Sequence, residues 1–141
     1  MRAAIVDTGP LVAFLDRAEK HHRWVAERIE ELDTPLLVCE PVLAEAIHLL
    51  ARFSRAHDAL FGLLENGALL IALRIDEHIS ALRKLHQKYR DRPMSLADAC
   101  IVRMAEIYEQ HVAADKRTAD SPAMPSTTCR GKSNVEHARS F

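Results

Sequence analysis

The chain has 141 residues, 48% of them apolar and 28% charged, with four glycines and a formal net charge of −1. That composition fits one globular domain with a substantial core and excludes disordered and fibrous classes. The near-zero charge also excludes a strongly basic surface that holds nucleic acid by charge alone. The three cysteines, Cys39, Cys100 and Cys129, are odd in number and form no Cys-x-x-Cys pair. They argue against a disulfide framework or a zinc knuckle and for a reducing compartment. No apolar run is long enough to span a membrane, and Asp7 falls where a signal peptide needs its apolar stretch. The expectation is a soluble cytoplasmic domain with no membrane partner.

Residues 3–6 form a short apolar run that ends at Asp7 and Thr-Gly-Pro, the pattern of a buried strand feeding a helix. A second helix is expected over residues 18–32, with Trp24, Val25 and Ile29 on one side. Residues 35–39 read as the next strand. Pro41 then opens a helix whose stripe is Val42, Ala46, Leu49, Leu50 and Phe53. A further helix covers residues 56–65, Asn66-Gly67 breaks the chain, and residues 68–73 form a third strand. Asp76 is placed to cap a helix carrying Ile79, Leu82, Leu85 and Tyr89. Ser95 opens the last clear helix, through Tyr108, and residues 111–114 read as a weak final strand.

Strands that alternate with helices, with no hairpin signal between them, predict an α/β fold with a parallel sheet. Ligands bind such sheets beyond the carboxyl ends of the strands, where Asp7 and Asp115 are expected. Each acid has a plain alternative role when taken alone. Asp7 can cap a helix, Glu45 can snorkel beside an apolar stripe, and Asp115 can start a turn. Asp98 has Met94, Ile101 and Val102 as helical neighbours, which sets it against apolar surface, yet Ser95-Leu-Ala-Asp98 is also a capping-box spacing. Taken together, two strand-end acids and two in early helical turns can converge on one crevice. Four such carboxylates repel unless neutralised, and a hard divalent cation such as Mg²⁺ does so while keeping waters for a phosphate substrate.

Ile-Val-Asp7-Thr-Gly-Pro-Leu-Val-Ala-Phe-Leu-Asp16, Val-Leu-Ala-Glu45-Ala, Pro93-Met-Ser-Leu-Ala-Asp98-Ala and Asp115 occur in this order and spacing. Together they resemble the acidic motifs of PIN-domain proteins, and most closely the VapC-like toxins of bacterial toxin–antitoxin pairs. The resemblance covers residues 1 to about 117. It implies a three-layer α/β/α fold with a short central parallel sheet and Mg²⁺- or Mn²⁺-dependent endoribonuclease activity on structured RNA such as tRNA or rRNA. It further implies a homodimer and a small cognate antitoxin. Carried over residue by residue, it makes Asp7, Glu45, Asp98 and Asp115 the catalytic and metal-holding acids.

The sequence departs from the family at Ala113, where members usually carry Thr or Ser, and Asp120 is not at the usual offset after the fourth acid. Those departures support an alternative reading, a catalytically impaired PIN-fold module that binds RNA or an antitoxin. A phosphatase is disfavoured because Asp7-Thr8-Gly9 lacks the second acid of Asp-x-Asp.

The eight histidines are scattered and read as surface residues, including His21 and His22, while Cys39 and Cys100 read as small buried hydrophobes. Arg83, Lys84, Lys88, Arg90 and Arg92 form a basic run that reads either as a solvated face or as phosphate contacts guiding RNA. No leucine follows Leu96 and no isoleucine follows Ile107, so residues 118–141 are expected to be a divergent polar tail without the usual last strand.

Overall fold

The computed structural model describes residues 4–32 and 34–112. Three strands form one parallel sheet in the order β1 (Ala4–Ile5), β2 (Leu36–Cys39), β3 (Leu69–Leu73). Ala4 is in register with Leu36 and Ile5 with Leu37, and Leu36 in turn with Leu69. The central strand β2 is buried along its whole length, which is why Leu-Leu-Val-Cys shows no polar alternation. Each crossover is helical. β1 leads to α1 (Thr8–Leu15) and α2 (His22–Glu30), β2 to α3 (Glu40–Leu49) and α4 (Ser54–Glu65), and β3 to α5 (Ile79–Lys88) and α6 (Leu96–Val112). The helices flank the sheet in the α/β/α arrangement, and α6 packs against all three strands.

The core joins Val6, Val38 and Leu69 of the sheet region to Leu11, Val25, Val42, Leu60 and Met104 of the helices. Each such aliphatic side chain contributes about 1.5–3 kcal/mol of transfer free energy when fully buried. No helix of the described residues is long and apolar enough to cross a membrane.

Several boundaries differ from the sequence expectation. Helix α2 starts at His22 because side chains of the preceding turn take up local backbone donors. Asp16 Oδ1 accepts from the Ala18 N–H at 2.9 Å and Glu19 Oε2 from the His21 N–H at 2.6 Å. The third helix stops at Leu49, and a turn over residues 50–53 leads into α4. Leu49 and Phe53, expected in the apolar stripe, are therefore 60% and 45% exposed, whereas Leu50 is buried.

Asp76 does not cap a helix. It lies in a 3₁₀ turn (Ile75–Glu77), where its carboxylate takes Nη2 of Arg74 at 2.9 Å, and α5 begins after His78 with no side-chain cap. At the far end, α6 runs on through Val112, so the first two residues of the expected final strand are helical. The remainder of that strand, Ala113, Asp115, Asp120, Cys129 and the polar tail lie outside the described residues.

Candidate active site

Three of the four expected acids are described, and each sits where the chain leaves one element or enters another. Asp7 is the N-cap of α1, in extended conformation directly beyond β1, and its Oδ1 accepts from the Thr8 N–H at 2.7 Å. The capping role and a place at the strand end are thus one position serving both. Glu45 lies on α3, half-buried, and its Oε2 accepts from the Thr8 hydroxyl at 2.8 Å. It does not snorkel along the apolar stripe; it reaches across to the first turn of α1.

Asp98 forms the capping box. Its Oδ2 accepts from the Ser95 N–H at 3.0 Å, and its own N–H donates to Ser95 Oγ at 3.1 Å. Reaching back to Ser95 turns the carboxylate away from apolar surface, so Asp98 is exposed and the expectation of a carboxylate against apolar surface is corrected.

The electrostatics of Asp7 tie the three together. Burial pushes its pKa above the ordinary carboxylate range, the Thr8 N–H pulls it back, and the negative fields of Asp98 and Glu45 push it up again. The charges of Glu45 on α3 and Asp98 on α6 therefore both bear on Asp7 at the end of β1. Among the described residues no salt bridge involves any of the three.

Such a donor set has the chemistry of a hard divalent cation's partners: oxygen ligands with negative charge that, among the described residues, no Lys or Arg neutralises. Among the described residues each carboxylate has one oxygen in a hydrogen bond and the other without a partner. Among the described residues alone, no three His, Cys, Asp or Glu side chains form a group that could hold a metal ion. The fourth acid, Asp115, lies outside the described residues.

Thr8 is the residue that sequence reasoning missed. It is the one buried polar side chain of the described residues, at 7% exposure, and its backbone and hydroxyl serve two different acids. Its position after a strand-end acid was legible only as a helix-cap signal, because its partner lies 37 residues away.

The histidines expected at the surface prove partly structural. His22 Nδ1 lies 2.8 Å from the Ala13 carbonyl and His57 Nε2 3.2 Å from that of Ile47, pinning α2 to α1 and α4 to α3. Cys39 and Cys100 are both buried, and burial pushes the Cys39 thiol up to about 12. A thiol so placed is inert, in keeping with its expected role as a small hydrophobe.

The PIN domain family matches residues 4–121, which span β1, all the described acids and Asp115. The chain belongs to the PIN-domain family. Its similarity extends to a VapC protein: Ribonuclease VapC26 of Mycobacterium tuberculosis (strain ATCC 25618 / H37Rv) is 33% identical over 106 residues, covering 74% of this chain and 78% of that protein. This PIN domain is accordingly VapC-like, as its acidic motifs and three-stranded parallel sheet imply.

Proposed function

We propose that this VapC-like PIN domain is a metal-dependent endoribonuclease, the toxin of a toxin–antitoxin pair. One observation carries the reading: the Thr8 hydroxyl ties Glu45 to the helix start that Asp7 caps, the charges of Asp98 and Glu45 both bear on Asp7, and among the described residues none of the three acids forms a salt bridge. Similarity to a protein named a ribonuclease supports RNA as the substrate. Structured RNA of the tRNA or rRNA class, a small antitoxin, a homodimer and a cytoplasmic location complete the proposal, and these parts rest on the family.

Asp7, Glu45 and Asp98 would hold the divalent ion, Mg²⁺ or Mn²⁺, with Asp115 as the fourth acid. Such an ion, when bound, would supply neutralisation of phosphate charge and a more acidic water for phosphodiester hydrolysis, the chemistry that gives 5′-phosphate and 3′-hydroxyl ends. The protein's own part is positioning. The Thr8 N–H fixes one oxygen of Asp7, the Thr8 hydroxyl fixes one oxygen of Glu45, and the Ser95 N–H fixes one oxygen of Asp98. Each acid is thereby oriented before substrate arrives.

The test is cleavage of bulk RNA by the full chain with Mg²⁺ or Mn²⁺, against EDTA and against Asp7→Asn and Asp98→Asn. We expect EDTA to abolish cutting and each variant to lower it at least about 100-fold, the scale of losing a positioned catalytic group. Equal cutting by wild type and Asp98→Asn overturns the assignment of that residue. A second reading, a PIN-fold module that binds RNA or an antitoxin without cutting, is favoured by Ala113, where the family usually carries Thr or Ser. Wild-type protein that binds RNA but never cuts it, with either metal, would select that reading.

A further inference from the structure

A concave groove of about 580 Å³ opens between the 3₁₀ turn, α5 and α6. Its two carboxylates are already engaged with arginines: Glu106 holds Arg103 Nη1 at 3.0 Å, and Glu77 lies 3.6 Å from Arg74 Nε. Lys84 and Lys88 on the α5 wall have no carboxylate partner among the described residues, and both are exposed. Lys88 is steadied over the Tyr89 ring at 5.2 Å.

On the α6 wall, Arg103 is held rather than mobile. Its Nε donates to His78 Nδ1 at 3.4 Å while Nη1 grips Glu106, and its side chain is only 29% exposed. A guanidinium has five N–H donors, so this fixed fork keeps donors to spare. Among the described residues the lining thus sets two ammonium groups without a carboxylate partner and one oriented guanidinium beside two carboxylates already engaged.

The groove's place in the fold gives those charges a direction. Arg103 lies five residues beyond Asp98 on the same helix, about 7.5 Å along its axis. The link from α5 back to α6, residues 89–95, carries Arg90 and Arg92, both exposed. Lys84 and Lys88 are one helical turn apart, about 6 Å, so the wall presents repeated positive charge rather than one point. Arg83, in the same basic run, does not line the groove.

We propose that the α5–α6 groove is a phosphate-binding track for the RNA backbone, delivering the strand to the Asp7–Glu45–Asp98 edge. Lys84 and Lys88 act as point-charge contacts, and Arg103, set by His78 and Glu106, as the directional one. The proposal rests on the ribonuclease reading, because the polyanion is the substrate.

The experiment measures binding of a bulk tRNA pool by the full chain in EDTA, over a salt series. It compares wild type with Lys84→Glu/Lys88→Glu, with the milder Lys84→Ala/Lys88→Ala, and with Arg52→Glu/Arg55→Glu as a charge-matched control outside the groove. We expect the groove reversal to lose about tenfold or more in affinity at low salt, and the salt slope to become shallower by about 1.5 for two lost contacts. The alanine pair should fall between, the control should bind as wild type, and thermal melting should show all variants folded.

Wild-type affinity and slope in the groove reversal would overturn the track. Cleavage separates the two layers of the reading. If wild type cuts RNA and the groove reversal cuts with unchanged KM, the track fails and the ribonuclease stands. If wild type neither binds nor cuts RNA, the ribonuclease reading fails and takes the track with it.

Discussion

Replacing Thr8 by valine removes one hydroxyl and keeps the branched shape, so it isolates the hydrogen bond to Glu45. The hydroxyl is buried and donates at 2.8 Å to a carboxylate oxygen. Hydrogen bonds to charged groups contribute about 1.5–3 kcal/mol, but Glu45 is only half-buried and can recruit water in its place, which puts the loss near 1–2 kcal/mol. For a chain of this size that lowers Tm by about 3–10 °C. Thr8→Ser keeps the hydroxyl and deletes one methyl, at about 0.8 kcal/mol.

Thermal melting of the three proteins, paired with RNA cleavage, separates packing from positioning. Valine should cost more cleavage than serine, about tenfold against near wild type, because only valine releases Glu45. Thr8→Val with wild-type melting and wild-type cleavage, beside a more damaging Thr8→Ser, would show that Thr8 matters for its methyl and not for Glu45.

Two further outcomes follow from the same site. The raised pKa of Asp7 means that the folded protein holds this proton to higher pH than the unfolded chain does. Its contribution to stability is therefore greatest at low pH and is lost as pH rises through and above the ordinary carboxylate range. In EDTA, Asp7→Asn should melt above wild type at pH 7, with the gap closing as pH falls towards 4; equal or lower melting at pH 7 would refute the cost of ionising Asp7 against its burial and its acidic neighbours. Ser95→Ala breaks one arm of the capping box and should cost about 1 kcal/mol, whereas Asp98→Asn, which keeps an oxygen for the Ser95 N–H, should melt close to wild type. A Ser95→Ala protein with unchanged Tm would remove the box as a source of helix stability.

What the sequence revealed and what it concealed divide along the range of the interactions. The strands β1, β2 and β3 were readable because each is an apolar run bounded by turn residues, and the Ser95–Asp98 box because it closes within one helical turn. Asp7 and Glu45 were readable as residues but not in orientation, since what orients Glu45 is a hydroxyl from another helix. The late start of α2 and the exposed Asp76 were misread for the opposite reason. Asp16, Glu19 and Asp76 satisfy very near neighbours, and such local bonds compete with helix capping without leaving a periodic trace. The basic run showed composition only; the fold sorts it, placing Lys84 and Lys88 in a groove beside Arg103 and leaving Arg83 out.

The candidate site also shows how a small domain can keep like charges together. Among the described residues Asp7, Glu45 and Asp98 form no salt bridge, and burial first, then the charges of Asp98 and Glu45, raise the Asp7 pKa, so the ionised Asp7 opposes folding at neutral pH. Single local donors offset part of that cost: the Thr8 N–H, the Thr8 hydroxyl and the Ser95 N–H each satisfy one oxygen of one acid. Neutral donors orient a carboxylate without cancelling its charge, whereas an arginine in the same place would stabilise the fold and discharge the site. A fold selected for stability alone would use the arginine. Neutral bracing of charged acids is the arrangement required if the compensating charge comes from a cation, and the pH dependence of Asp7→Asn with and without divalent metal measures that choice directly.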